Sequence, residues 1–190
     1  MIIVLEGVNG TGKSTYAKKI SGGLNAVVIR PFRQGDGHHF TGNTPIERDL
    51  KALGVPYNTH VDEMYVADII GRLARGGQRF SVVLDRSIGS AIAHHDRPLS
   101  DSGKLVDVWY RLMGQDAPVL YVWLTAPWHV AQARLAAEQR AFAGDAEARH
   151  NKLQGLFRHA YDLIPYNKLT IDTATTLVDE GVRKVVDQVI

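Results

Sequence analysis

The sequence predicts an α/β fold of three layers, a five-stranded parallel sheet with helices on both faces, and three observations carry the prediction. Short apolar runs rich in β-branched residues alternate with stretches of helical periodicity, the pattern of βαβ units. Four of the five runs are near-continuously apolar, as strands covered on both faces are. A glycine-rich loop joins the first run to the first helical stretch, and in open α/β sheets ligands bind at that edge.

The first strand spans residues 2–6. A helix follows from Ser14 to about Ile20, and Gly22 and Gly23 are expected to stop it, because glycine suits the left-handed position past a helix end. Residues 26–30 form the second strand. Residues 31–60 are rich in Gly, His, Asn, Thr and Pro, and a loop-rich segment of that length in a compact domain is usually functional. A second helix covers about 62–75 and stops at Gly76 and Gly77; strands follow at 80–84 and 119–124. Pro127 suits the first turn of a helix carrying Val130, Ala133, Arg134 and Ala137. Residues 139–151 hold Arg140, Gly144, Asp145, Glu147, Arg149 and His150 and read as a mobile polar excursion. The short fifth strand is 169–172, and the last helix gathers Leu177, Val178, Val182, Val185, Val186 and Val189 into a core stripe. Trp109, Tyr110, Trp123 and Trp128 lie in or beside apolar segments and are read as packing residues.

Composition narrows the function classes. The 190 residues fit one domain, 1–190, with 45% hydrophobic and 22% charged residues. A net charge of +2 without any long Lys/Arg run gives no strong footprint for duplex nucleic acid. The lack of Cys excludes disulfides and thiolate metal sites. No apolar run reaches the 18 residues of a membrane span, and the apolar start is cut by Glu6 and Gly7 without a basic stretch before it, unlike a signal peptide. The expected location is the cytoplasm, the host's if the chain is phage-encoded.

Gly7 to Ser14 matches Gly, four residues, Gly-Lys-Ser/Thr, placed between a strand and a helix as its mechanism demands. Gly7, Asn9, Gly10, Thr11, Gly12, Lys13, Ser14 and Thr15 are the candidate ATP-binding residues. Loop amides and the helix N-terminus attract phosphate oxygen, Lys13 reaches the β- and γ-phosphates, and Ser14 offers a hydroxyl to Mg²⁺. The third strand runs into Asp85, Arg86 and Ser87, then Ser90. Asp85 can hold Mg²⁺, and Arg86 can present its planar fork to an acceptor phosphate. No Arg stands within the loop, so Arg134, Arg140 and Arg149 are candidates for neutralising the transferring phosphoryl group. A guanine-nucleotide switch is the non-enzymatic alternative, but Asn167-Lys168-Leu169-Thr170 lacks the Asp that would pair with guanine. The pairs His38-His39 and His94-His95 lack ligand spacing for a metal.

The stretch from Leu5 to Thr15, with Leu84 to Ser90, resembles the thymidylate kinase family. Tyr65 to Asp68, Ala131 to Arg140 and Ile171 to Thr173 add to the likeness. The resemblance implies the P-loop nucleoside monophosphate kinase fold with strand order 2-3-1-4-5 and a lid at about 139–151. It implies ATP and Mg²⁺ as co-substrates and an acceptor region at about 31–75, with Arg30, Arg33, Tyr65, Asp68, Arg86 and Ser90 as acceptor-binding residues. The implied activity is phosphorylation of a thymidylate-like deoxynucleoside 5′-monophosphate, with Lys13, Asp85, Arg86, Arg140 and Arg149 as catalytic residues. The chain departs from that family at Asn9, where Asp is usual; at Arg30-Pro31-Phe32-Arg33, where Arg-Glu-Pro-Gly is usual; and at Ile69, where a base-reading Arg is usual. The departures feed the alternative of a hydroxyl acceptor, a deoxynucleoside or a hydroxymethylated pyrimidine in phage DNA. A nucleic-acid acceptor is the less favoured partner, and assembly as a homodimer is left open.

Overall fold

Alternation within the first apolar run decides the layering. Strand β1 (Ile2–Glu6) contributes Ile2 and Val4 to one core and Ile3 and Leu5 to another, as the two-residue period of a strand requires. The computed structural model describes residues 1–29, 66–68, 70–72, 75–76, 81–94, 101–114, 117–139 and 144–189. After β1 come α1 (Lys13–Leu24), β2 (Val27–Ile29), β3 (Val82–Asp85), α2 (Ile88–His94), α3 (Ser102–Met113), β4 (Val119–Thr125), α4 (Trp128–Ala137), α5 (Ala146–Leu163), β5 (Asn167–Asp172) and α6 (Val178–Asp187). Residues 66–68 and 70–72 are helical as well.

The sheet is parallel throughout, in the order β2-β3-β1-β4-β5 that the resemblance implies. On one face Ile88 of α2, Trp109 of α3 and Ala160 of α5 close over Val4, Leu84 and Tyr121. On the other, Tyr16 and Ile20 of α1 and Val185 of α6 pack on Leu5, Val83 and Val122. Two helical layers therefore enclose one sheet, and the ends of β1 and β3 come level: Leu5 pairs with Asp85.

Several sequence expectations are corrected. Helix α1 runs through Gly22 and Gly23 to Leu24, and Asn25 takes the left-handed position at φ 50°. Leu24 packs beside the α1 core residues, which offsets the roughly 1 kcal/mol that each interior glycine costs. Strand β2 lies at the sheet edge with Val27 63% exposed, so it is not covered like its neighbours. Pro127 stands just before the first turn of α4 as its cap, in extended geometry, and the helix carries Val130, Ala133, Arg134 and Ala137 as expected while burying Ala131 and Leu135. Strand β5 starts at Asn167, so Asn167 and Lys168 lie inside it, paired with Leu120 and Tyr121. Leu177 precedes α6 in extended geometry and is 76% exposed, outside the buried stripe. Trp109 and Trp123 are core residues, whereas Trp128 is half-buried against the His150 ring.

The polar excursion at 139–151 is helical over its described second half. Asp145 caps α5 by accepting from the Ala148 amide at 3.0 Å, and Glu147 in the first turn suits the positive end of the helix. His150, at the start of the second turn, is buried against the Ala126 carbonyl at 3.0 Å.

Candidate active site

The loop between β1 and α1 is built from backbone conformations that favour glycine. Gly7, Gly10 and Gly12 have φ of 145°, 83° and 84°. At Gly10 space is limiting too, since a Cβ there would stand 2.7 Å from the Ala131 carbonyl oxygen. The Thr11 hydroxyl donates to the Val8 carbonyl at 2.9 Å, and the Lys13 ammonium donates to the same carbonyl at 2.6 Å. Lys13 is buried rather than displayed on a surface loop, while Asn9, Ser14 and Thr15 are exposed. The first α1 backbone bond is from the Tyr16 amide to the Gly12 carbonyl, and Gly12 has no side chain to cap the preceding amides. Those amides, with the helix dipole, suit an anionic ligand.

The level ends of β1 and β3 bring Asp85 to this loop. The Ser14 hydroxyl donates to Asp85 Oδ2 at 3.2 Å. A hydroxyl and a carboxylate at that separation form an oxygen donor set that fits Mg²⁺. Arg86 follows with φ 82°, rare for a residue with a side chain. Its amide donates to the Leu5 carbonyl at 3.0 Å, and its guanidinium donates to Asn9 Oδ1 and, at 3.3 Å, to the Ser90 hydroxyl. His94 Nε2 lies 3.4 Å from the same guanidinium.

Glu6 sits behind these groups, fully buried at the end of β1. Its Oε1 accepts from the Ser87 amide at 2.7 Å and the Ser90 amide at 3.1 Å, and Oε2 accepts from the Ser90 hydroxyl at 2.6 Å. Burial pushes the carboxyl up to about 7 against the pull of the Ser90 hydrogen bonds and the Arg86 charge. Ser90, expected to touch the acceptor, is buried and spends its hydroxyl on Glu6 and Arg86. Sequence reasoning assigned Glu6 no role; the available signal was an acidic residue closing an otherwise apolar strand.

The arginines separate into different surroundings. Arg134 does not reach over the loop as a lid residue would: its guanidinium donates to the Gly10 carbonyl at 3.1 Å, the Thr173 hydroxyl at 2.8 Å and the Thr173 carbonyl at 2.7 Å. It therefore ties the phosphate loop to the turn after β5, a partnership with Thr173 that sequence reasoning missed. Arg149 is exposed on the first turns of α5. Asp68 is mostly buried and pairs with Arg72 one turn on, at 2.7 Å. Arg30, Arg33, Tyr65 and Arg140, with residues 31–65 and 140–143 of the acceptor and lid regions, lie outside the described residues.

No protein-family model matches the sequence, and no curated protein matches it. Solved structures do. The YorR protein of Bacillus subtilis, determined with phosphorylated GDP, aligns over 98% of this chain and 94% of its own at 17% identity, with a TM-score of 0.64. Deoxyadenosine kinase from M. mycoides, determined with dCMP and dCDP, aligns over 99% and 97% at 15% identity and 0.55. A sugar kinase from Janibacter sp. aligns over 98% and 92% at 16% identity and 0.55. The chain has the P-loop kinase fold. In a P-loop kinase fold the carboxyl ends of β1 and β3 flank the phosphate loop, and here those ends carry Glu6, Asp85 and Arg86.

Proposed function

We propose that this chain transfers the γ-phosphoryl group of ATP to a deoxynucleoside 5′-monophosphate, thymidylate-like, yielding the diphosphate. The observation that carries the reading is the Ser14–Asp85 pair, 3.2 Å apart at the mouth of a glycine-rich phosphate loop, with the Arg86 guanidinium beside it at Asn9. Ser14 and Asp85 would hold Mg²⁺, which would supply positive charge against the donor phosphates. Lys13 and the amides at the start of α1 hold the donor phosphates. Lys13 exchanges the Val8 carbonyl for phosphate oxygen, which keeps its buried charge partnered. Arg86 receives the acceptor phosphate with its fork. Phosphoryl transfer needs positioning and charge stabilisation rather than a covalent enzyme intermediate, and these groups supply both. Arg140 and Arg149 remain the proposed lid arginines, and Arg30, Arg33, Tyr65 and Asp68 the proposed acceptor contacts.

Asp85→Asn and Arg86→Lys test the assignment together. Asp85→Asn lowers turnover with every acceptor and raises the Mg²⁺ concentration needed for half-maximal rate. Arg86→Lys keeps the charge but loses the bidentate fork, so the KM or turnover for a monophosphate suffers while a nucleoside acceptor is little affected. Equal small effects of the two substitutions contradict this active site. Turnover of the matching deoxynucleoside in preference to the monophosphate selects the hydroxyl-acceptor alternative, the chemistry named for the M. mycoides neighbour.

A further inference from the structure

Four side chains close a ring around the start of the phosphate loop. The backbone runs from Glu6 through Gly7 and Val8 to Asn9, and the return path is made of hydrogen bonds: Asn9 to Arg86, Arg86 to Ser90, and Ser90 to Glu6. The Glu6 carboxylate is the only member with no solvent exposure, and it receives donors from both the Ser87 and Ser90 amides besides the Ser90 hydroxyl. Those bonds fix the turn between β3 and α2 in which Arg86 holds its left-handed backbone. A strained residue keeps such a conformation only when its surroundings over-determine it, and here the surroundings are Glu6, Ser90 and the Leu5 carbonyl. The sequence supports the same closeness, because Gly89 leaves α2 without a side chain where a Cβ would be 3.2 Å from the Glu6 carboxyl.

We infer that Glu6 is the positioning residue for the acceptor side of the reaction: through Ser90 and the Ser87 amide it sets the direction of the Arg86 guanidinium relative to Asn9. The inference rests on the phosphotransferase reading of the site. Glu6 itself touches neither donor nor acceptor. Its effect is weighted toward the acceptor because Lys13, Ser14 and the α1 amides, which serve the donor, take no part in the ring, and Asn9 is the one phosphate-loop side chain that does.

The test compares wild type, Glu6→Gln, Ser90→Ala and the double variant, using ATP and the best acceptor among the four deoxynucleoside 5′-monophosphates. Each protein is first checked by thermal melting and circular dichroism. Glu6→Gln keeps the shape and one carbonyl acceptor but presents an amide nitrogen in place of one carboxylate oxygen. The expected result is an acceptor kcat/KM lowered at least tenfold with the ATP KM within twofold of wild type. Ser90→Ala, which leaves Glu6 in place, should do the same, and the double variant should be no worse than the more damaged single, since both remove one linkage. An unchanged acceptor kcat/KM in a folded Ser90→Ala or Glu6→Gln protein overturns the inference, as do equal losses toward ATP and acceptor, or additive losses in the double variant. A wild-type protein that phosphorylates none of the four monophosphates defeats the underlying reading, and the positioning role falls with it; an active wild type beside unaffected variants defeats the positioning role alone.

Discussion

Lys13 and Glu6 flank the phosphate loop, and both are buried ionisable groups whose roles differ by what faces them. Lys13 donates to a loop carbonyl, so Lys13→Ala removes a hydrogen bond worth roughly 1 kcal/mol of stability together with the side-chain charge the phosphate loop offers to the donor phosphates in the proposed reading. Turnover should fall at least about hundredfold, on the order of 3 kcal/mol in the barrier, while the melting temperature drops only a few degrees; steady-state kinetics beside a melting curve checks both. Glu6 gives a pH signature. Its folded carboxyl titrates near 7 against an ordinary value of 4.5. Between those two values the folded state keeps a proton that the unfolded state has lost, so this contribution to stability is fully present below the lower value and disappears as pH rises through the upper one. The loss amounts to about 3 kcal/mol, and Glu6→Gln should lack it. Denaturant unfolding from pH 4 to pH 8 should show wild type losing ground to the variant by that amount; a constant gap contradicts the assignment. Lys13 was legible in the sequence because its motif is local. Glu6 was not, because its partners Ser87 and Ser90 stand 81 and 84 residues away.

At the scale of elements, the apolar runs located each of the five strands among the described residues, and the errors fell at element ends and on exposed faces. Gly22 and Gly23 look like a stop, but the pull of Leu24 toward the α1 core outweighs that local preference. Leu177 fits the period of α6, yet the helix begins one residue later and leaves it in solvent. Helix α2 shows how tightly an element can be seated: a Cβ on Gly89 would stand 2.2 Å from the Tyr121 hydroxyl. Gly89→Ala should therefore cost about 1–3 kcal/mol of stability in denaturant unfolding, the usual penalty of overpacking, despite the better helix propensity of Ala. Helix α4 is joined to the phosphate loop by Arg134, and Arg134→Ala frees the loop from the turn after β5. The ATP KM should rise about tenfold with a smaller change in turnover. A lid arginine would show the reverse, turnover falling and KM holding, so the ratio of the two effects distinguishes an anchor from a lid.

For the whole molecule, the order of the strands is what makes a site of distant residues. Ser14 and Asp85 are 71 residues apart and meet because β3 lies directly beside β1. Periodicity revealed the five strands found among the described residues and that they are parallel, but neighbour relations depend on long crossovers and came only from the resemblance carried by the loop and the Asp-Arg pair. The proposed function makes one claim about the molecule as a machine: donor phosphates on α1, acceptor phosphate at Arg86. The most direct measurement follows the label from γ-³²P ATP in the presence of Mg²⁺ and each of the four deoxynucleoside 5′-monophosphates and their nucleosides, separating products by charge. The account predicts label in the terminal phosphate of a deoxynucleoside diphosphate, dependent on the monophosphate and absent with Lys13→Ala. Label appearing only as inorganic phosphate, or equally in wild type and Lys13→Ala, contradicts it.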